Sequence, residues 1–182
     1  MKRAITLIRL APLGPIGDAG TEPTPPIGLA YLAAMCKGEE VDVQGIDAAG
    51  RNLNKTFKVS KYNLRGVGLD IDEVIELINP KTEIIGISAM FSHEWLYTRD
   101  CINLIKEKFP KARIIAGGEH VTALPEYCLR DCNSIDYIAL GEGEETWSEI
   151  LNSDFDKFDE IKGLAYLKKH GITDQYFQTE PR

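Results

Sequence analysis

The chain has 182 residues, 43% of them hydrophobic and 27% charged, with a formal net charge of -7 from 28 acids and 21 bases. That is the size and make-up of one globular domain with a real core. The acidic balance excludes a surface built for nucleic acid or an anionic membrane, which needs clustered positive charge. No apolar run approaches the ~20 residues of a membrane span. Arg9 interrupts the first apolar run, Ala4-Ile5-Thr6-Leu7-Ile8, too early for a signal peptide. Cys36, Cys101, Cys128 and Cys132 are scattered through apolar or helical contexts. They read as reduced, buried thiols of a cytoplasmic protein.

Short apolar strands alternate with amphipathic helices along the chain. The first strand is Ala4 to Arg9. A Pro- and Gly-rich loop, Leu10 to Thr24, follows it, longer than the usual 2–6 residues of a strand–helix connection. Thr24 reads as the N-cap of a helix over Ile27 to Cys36, with Pro25 and Pro26 in its first turn and Gly38 ending it. This helix is apolar on nearly every side, so it is expected to be well buried. The second strand is Val41 to Ile46, and residues 48–68 read as an exposed excursion holding a small hairpin. The second helix is Asp70 to Asn79 and the third strand Glu83 to Ser88. A third helix covers Trp95 to Lys108, with Leu96, Cys101, Leu104 and Ile105 facing inward, and Pro110 stops it. The fourth strand (Ala112 to Ala116), fourth helix (Leu124 to Asp131), fifth strand (Ile135 to Leu140) and fifth helix (Glu144 to Leu151) complete the alternation. Gly163 to Gln178 reads as a hairpin turning at Lys169-His170-Gly171, with His170 exposed.

Five strand–helix units predict an α/β fold. It is a doubly wound, flavodoxin-like Rossmann sheet of five parallel strands in the order 2-1-3-4-5, with a C-terminal β-hairpin. The predicted boundaries are 1–155 for this domain and 156–182 for the hairpin and a linker. Ligands in such sheets bind at the carboxyl ends of the strands, beside the switch point between strands one and three. Four loops meet there: Leu10–Thr24, Met90–Glu94, Gly117–Val121 and Gly141–Glu144. Two strands run straight into glycine pairs, Gly117-Gly118 and Gly141-Glu142-Gly143, which removes side chains where a wide ligand must approach the backbone. Gly117-Gly118 alone is equally well a tight turn, and Ser88 alone is more often a satisfied core hydroxyl.

Several uses of the fold fail on their motifs. Gly14, Gly17 and Gly20 are not followed by Lys-Ser/Thr, so no phosphate-cradling loop is present, and their spacing misses Gly-x-Gly-x-x-Gly. Strand one ends in Arg9-Leu10 and strand three in Ser88-Ala89-Met90, not in a receiver domain's acids. Gly86-Ile87-Ser88-Ala89-Met90 lacks the second glycine of a nucleophile elbow.

Ser88-Ala89-Met90 after strand three and Gly117-Gly118 after strand four resemble the cobalamin-binding domain. Pro25-Pro26-Ile27-Gly28-Leu29-Ala30-Tyr31-Leu32, Gly117-Gly118-Glu119-His120-Val121-Thr122, Gly141-Glu142-Gly143-Glu144-Glu145-Thr146 and Ile161-Lys162-Gly163-Leu164-Ala165-Tyr166 narrow the likeness. In that order they resemble the N-terminal domain of cobalamin-dependent radical S-adenosylmethionine (SAM) enzymes, of the type without Asp-x-His-x-x-Gly. The loop after strand one contains no histidine, so the usual imidazole ligand to cobalt cannot come from it.

The resemblance implies that the benzimidazole nucleotide tail of cobalamin lies in the sheet's crevice and the corrin over the strand ends. Ser88 would bond the benzimidazole, Gly117 and Gly118 would bare the backbone to the nucleotide, and Gly141 and Gly143 would line the other wall. Leu10, Gly14, Met90, Phe91, His93, Glu119, His120 and Glu142 join them as candidate contacts, with Leu10–Asp18 covering the lower face. His93 reads either as a corrin contact or cobalt ligand or as a surface residue beside an aromatic cap. His120 reads either as a backbone-bonded residue at a helix start or as a ligand. The family's Cys-x-x-x-Cys-x-x-Cys cluster motif is missing: Cys128 and Cys132 have the first spacing, but Ile135 stands where the third cysteine belongs. SAM and a [4Fe-4S] cluster are therefore expected only in a downstream radical SAM domain, and this chain in a fragment of a larger enzyme, with the corrin as methyl carrier. The alternatives are a stand-alone cobalamin carrier, a flavodoxin-like module for another ligand, or an edge that serves only a partner domain.

Overall fold

The computed structural model describes residues 3–17, 24–37, 41–153, 158–170 and 173–182. In chain order the strands and helices are β1 (Arg3–Arg9), β2 (Leu13–Pro15), α1 (Ile27–Met35), β3 (Val41–Asp47), α2 (Ala48–Arg51), β4 (Thr56–Val59) and β5 (Leu64–Val67). Then come α3 (Ile71–Leu77), β6 (Thr82–Ser88), α4 (Trp95–Lys108), β7 (Arg113–Gly117), α5 (Glu119–Ala123), α6 (Pro125–Asp131), β8 (Tyr137–Ala139), α7 (Glu144–Asn152), β9 (Leu164–His170) and β10 (Thr173–Gln178).

Five strands are parallel, in the order β3-β1-β6-β7-β8, which is the predicted 2-1-3-4-5. The C-terminal hairpin is more than an appendage. β9 pairs antiparallel with β8, and β10 with β9, so the sheet is mixed and has seven strands rather than five. β8 is only three residues long, and the hairpin covers what would otherwise be an open edge beside it. Residues 171–172 of the predicted turn lie outside the described residues, as do the side chain of His170 and the helix-ending Gly38.

Side-chain alternation divides the core. Ile8, Ile85, Ile114 and Ala116 face α3, α4 and α6, whose Val74, Cys101, Ile102, Ile105 and Leu129 pack on them. Ile5, Leu7, Ile84 and Ile115 face α1 and α7, whose Leu29, Leu32, Trp147 and Ile150 close the other side. Each fully buried Ile or Leu contributes about 2 kcal/mol of apolar burial.

Three expectations need correction. First, α1 is not well buried. No residue in it is, and Ile27 and Tyr31 are 64% and 59% exposed. Its main contacts lie on one side, against α7 and the sheet, so an all-round apolar pattern leaves its outer face largely bare. Second, Thr24 does not cap it. Pro26 holds the N-cap position with no side-chain bond, and the Thr24 carbonyl instead accepts from the Arg9 guanidinium. Third, α4 buries Thr98, Cys101, Ile102 and Ile105, one stripe at i, i+3, i+4, i+7, while Leu96 and Leu104 stay exposed on its flanks.

The described part of the loop after β1 holds a strand. β2 joins β5 and β4 in a small antiparallel sheet, so the predicted excursion gains a third strand from residues 13–15. Leu13 is fully buried, and its N–H donates to the Glu94 carboxylate at 2.9 Å. Desolvation pushes that carboxyl upward. Gly68 closes the small sheet onto α2. Its φ is +112°, and a Cβ there would overlap the Ala48 carbonyl oxygen and stand 2.6 Å from Ala49 Cα. Gly68→Ala is therefore expected to cost about 2 kcal/mol or more, measured as a lower midpoint in urea denaturation; an unchanged midpoint would mean that this junction yields freely.

Candidate functional site

β1 and β6 are parallel neighbours, but their connections run to opposite sides of the sheet, which leaves a crevice at their carboxyl ends. Register then sets a row of residues along that edge. Arg9 stands opposite Ser88, Ser88 opposite Gly117, and Gly117 opposite Ala139. The Ala89 N–H donates to the Gly117 carbonyl at 2.7 Å, which extends the pairing one residue past β6.

Behind this row lies a cavity of about 350 Å³ between the sheet and helices α1 and α7. That is within the usual range for a small-molecule site. Leu7, Leu29, Leu32, Ile115, Trp147 and Ile150 form its apolar wall. Of the residues expected at the site, Ser88, Met90, Gly117, Gly118, Glu119, Gly141, Glu142 and Gly143 all line it.

The glycines at its mouth act in different ways. Gly118 has φ +116°, and a Cβ there would press to 2.8 Å from both the Ala89 carbonyl oxygen and Met90 Sδ. Gly117 lies on the same face as Ile115, two residues back, so its missing side chain would point into the cavity. A Cβ on it would come no closer than 3.9 Å to the Ala139 atoms. Gly118 is needed to form the turn, then, while Gly117 is free to be small for a ligand's sake. The Gly141 N–H donates to Thr122 Oγ1 at 3.1 Å, which ties the second glycine loop to α5. Three carboxylates, Glu119, Glu142 and Glu144, stand at the mouth, and none of the described residues lining the cavity is cationic.

The other five candidates do not line the cavity. Leu10 is buried in the core on the α4 side, and Gly14 pairs with Arg65 inside the small sheet. Phe91 and His93 are exposed and stack on each other with ring centres 5.7 Å apart. His93 Nε2 lies 3.8 Å from the Glu94 carboxylate. His120 is buried, hydrogen-bonded through Nδ1 to Ser92 Oγ at 2.9 Å, and packed 5.0 Å from the Trp95 ring. Its Nε2 has no partner among the described residues.

Sequence reasoning missed Leu29, Leu32, Thr122 and Trp147 as wall and rim. A signal was available: Leu29 and Leu32 are spaced i, i+3 on a helix that begins beside the crevice. Cys128 and Cys132 are buried and unpaired, with burial pushing their thiols up to about 12 and about 11. Among the described residues, no group of three or more His, Cys, Asp or Glu side chains is placed to hold a metal, and no helix is long and apolar enough to cross a membrane.

The B12 binding domain family matches residues 16–151. The chain belongs to that family. Its relatives are cobalamin-dependent radical SAM enzymes and methyltransferases. It is 36% identical over 144 residues to an uncharacterized methyltransferase, PH0819, of Pyrococcus horikoshii, a match covering 79% of this chain and 27% of the relative. It is 32% identical over 154 residues to the cytidylyl-2-hydroxyethylphosphonate methyltransferase of Streptomyces wedmorensis, covering 81% and 28%. The cobalamin-dependent radical SAM methyltransferase TokK of Streptomyces tokunonensis matches at 27% identity over 53% of this chain and 16% of its own. The fold also matches the radical SAM enzyme OxsB, solved with aqua-cobalamin bound, with a TM-score of 0.70 and 20% identity over 99% of this chain and 23% of that one. The B12-binding domain described here thus spans about a quarter of the length of the first two relatives.

In this domain burial lowers the His120 ring below its ordinary 6.5. The unfolded chain takes up that proton first, so stability is fully present above about pH 6.5 and is lost as pH falls through the lowered value. Thermal denaturation between about pH 7 and pH 5 is expected to show this loss, and His120→Asn to flatten it. Identical slopes in the two proteins would assign the titration to another group.

Proposed function

We propose that this domain binds cobalamin with its nucleotide tail in the cavity and its corrin over the strand ends, and that it presents the cofactor to a radical SAM domain in the same protein. One observation carries the reading. The cavity is long on hydrocarbon and has a side-chain-free mouth at Gly117 and Gly143, which fits a flat, largely apolar base entering edge-on. Ser88, at the row's centre, offers a hydroxyl with no partner among the described residues. The carboxylates at the mouth disfavour a ligand whose anchor is a terminal phosphate, which counts against a flavin nucleotide.

When bound, cobalamin supplies a cobalt centre able to carry a methyl group. This chain's own residues bind and orient it; they move no proton. Residues 10–24 contain no histidine, His93 stacks on Phe91, and His120 is bonded to Ser92 and packed on Trp95, so we assign no protein imidazole to cobalt. The SAM and [4Fe-4S] chemistry is assigned to the rest of a longer enzyme, with residues 156–182 leading toward it. The length of the relatives and the bare outer face of α1 support that assignment. Four buried cysteines outside any disulfide support a reducing, cytoplasmic setting.

The direct test is to mix the purified chain with hydroxocobalamin, desalt it and record the visible spectrum. Retained corrin absorbance near one equivalent is expected; none retained would refute the reading. Gly117→Val supplies the structural arm. Its melting temperature should stay close to that of the parent, since nothing presses on its Cβ, while cobalamin affinity falls at least about tenfold. Equal affinity would place the tail elsewhere.

A further inference from the structure

The cavity also has a chemistry that chooses among nucleotide tails. We infer that it selects a corrinoid carrying a benzimidazole base over one carrying a purine base, because its wall is mostly hydrocarbon and offers few hydrogen-bonding side chains to a polar ring edge. This rests on the reading that the tail occupies the cavity.

The wall offers little to a polar ligand. Leu7, Leu29, Leu32, Ile115 and Ile150 are hydrocarbon. The strand backbones beneath them are paired in the β1–β6 and β6–β7 ladders, and those of α1 and α7 bond within their helices. Two hydroxyls stand near the mouth. Thr122 Oγ1 already accepts from the Gly141 N–H at 3.1 Å, and Ser88 is free. Deeper in the wall, the polar side chain among the described residues is that of Trp147, whose indole N–H is buried without a partner among them and can donate but not accept. The carboxylates of Glu119, Glu142 and Glu144 are at the mouth, where the sugar and phosphate leave, and the first two are exposed.

A glycosylated benzimidazole has one free ring nitrogen, an acceptor, and its remaining edge is carbon. The Ser88 hydroxyl matches that nitrogen, and the leucine and isoleucine wall matches the carbon edge. Adenine differs where the wall is poorest. It adds further ring acceptors and an amine that must donate, and for the amine the described side chains of the wall offer only the hydroxyl oxygens near its mouth. Each polar group left unpaired on burial weakens binding by roughly five- to a hundredfold. Discrimination therefore comes from rejecting the purine, not from a contact peculiar to benzimidazole.

The test compares three corrinoids on the purified full chain by absorbance titration: cobalamin, its adenine-tailed analogue, and tail-less cobinamide. Only corrinoid whose base is off the cobalt can insert its tail. Each apparent Kd of the two tailed forms is therefore multiplied by the base-off fraction read from that corrinoid's own spectrum in solution. The expected result is a cobalamin preference of about tenfold or more over the adenine form (about 1.4 kcal/mol), with cobinamide weaker than cobalamin. If the two tailed forms bind within about threefold of each other, both tighter than cobinamide, the selectivity is refuted and the cavity reading stands. If cobinamide binds as tightly as cobalamin, the tail is not in the cavity, and both inferences fall together.

Discussion

Close-packed interiors normally fill any space between a sheet and the helices above it. Here that space stays open at one place, and the rest of the site follows from it. The sheet contributes Gly86 and Gly117 where larger residues would point toward α1 and α7, and the neighbouring strand ends in Ala139. Gly86 is hemmed in from the sheet side: a Cβ there would stand 2.8 Å from Leu7 Cδ2 and 3.7 Å from the Trp147 ring. Trp147 thus sits down on a bare strand and forms the floor, while Gly117, one strand over, leaves the mouth clear. The register that sets Ser88 beside Gly117 delivers a hydroxyl with no partner among the described residues to the same opening.

The helix above the cavity is held from behind. Thr146 Oγ1, next to Trp147, donates to the Lys162 carbonyl at 3.0 Å and accepts from the Arg182 Nε–H at 3.1 Å. Arg182 also pairs with Glu145 at 2.8 Å and with Glu149 at 2.5 Å. Such exposed pairs contribute little individually, but they anchor α7 to the segment leading into and out of the C-terminal hairpin. The Leu140 N–H donates to the Gly163 carbonyl at 2.8 Å, so the hairpin also positions the second glycine loop. The hairpin is therefore part of the cavity's scaffolding as well as a sheet extension.

The strand order and the glycine pairs were legible in the sequence because both depend on local signals: apolar runs of strand length, and glycine where a strand stops. Residues whose role depends on distant partners were not. β2 exists because Leu13-Gly14-Pro15 meets Leu64–Gly66, a pairing that a three-residue segment cannot announce. Thr24 looked like a cap, but two prolines shifted the helix start and the Arg9 guanidinium claimed its carbonyl. α1 looked buried because its composition is apolar all round, yet composition cannot show which neighbours are present to cover it. His120 follows Gly118 by two residues, but α5 turns its ring toward Trp95, away from the cavity.

The central claim is that the cofactor's own base is withdrawn into the cavity and that no histidine of this chain replaces it on cobalt. Electron paramagnetic resonance of the bound cobalt(II) form tests both halves at once, since a nitrogen ligand splits the cobalt lines. The account predicts a protein-bound signal without nitrogen splitting. A resolved nitrogen splitting, whether from the benzimidazole or from His93 or His120, would contradict it.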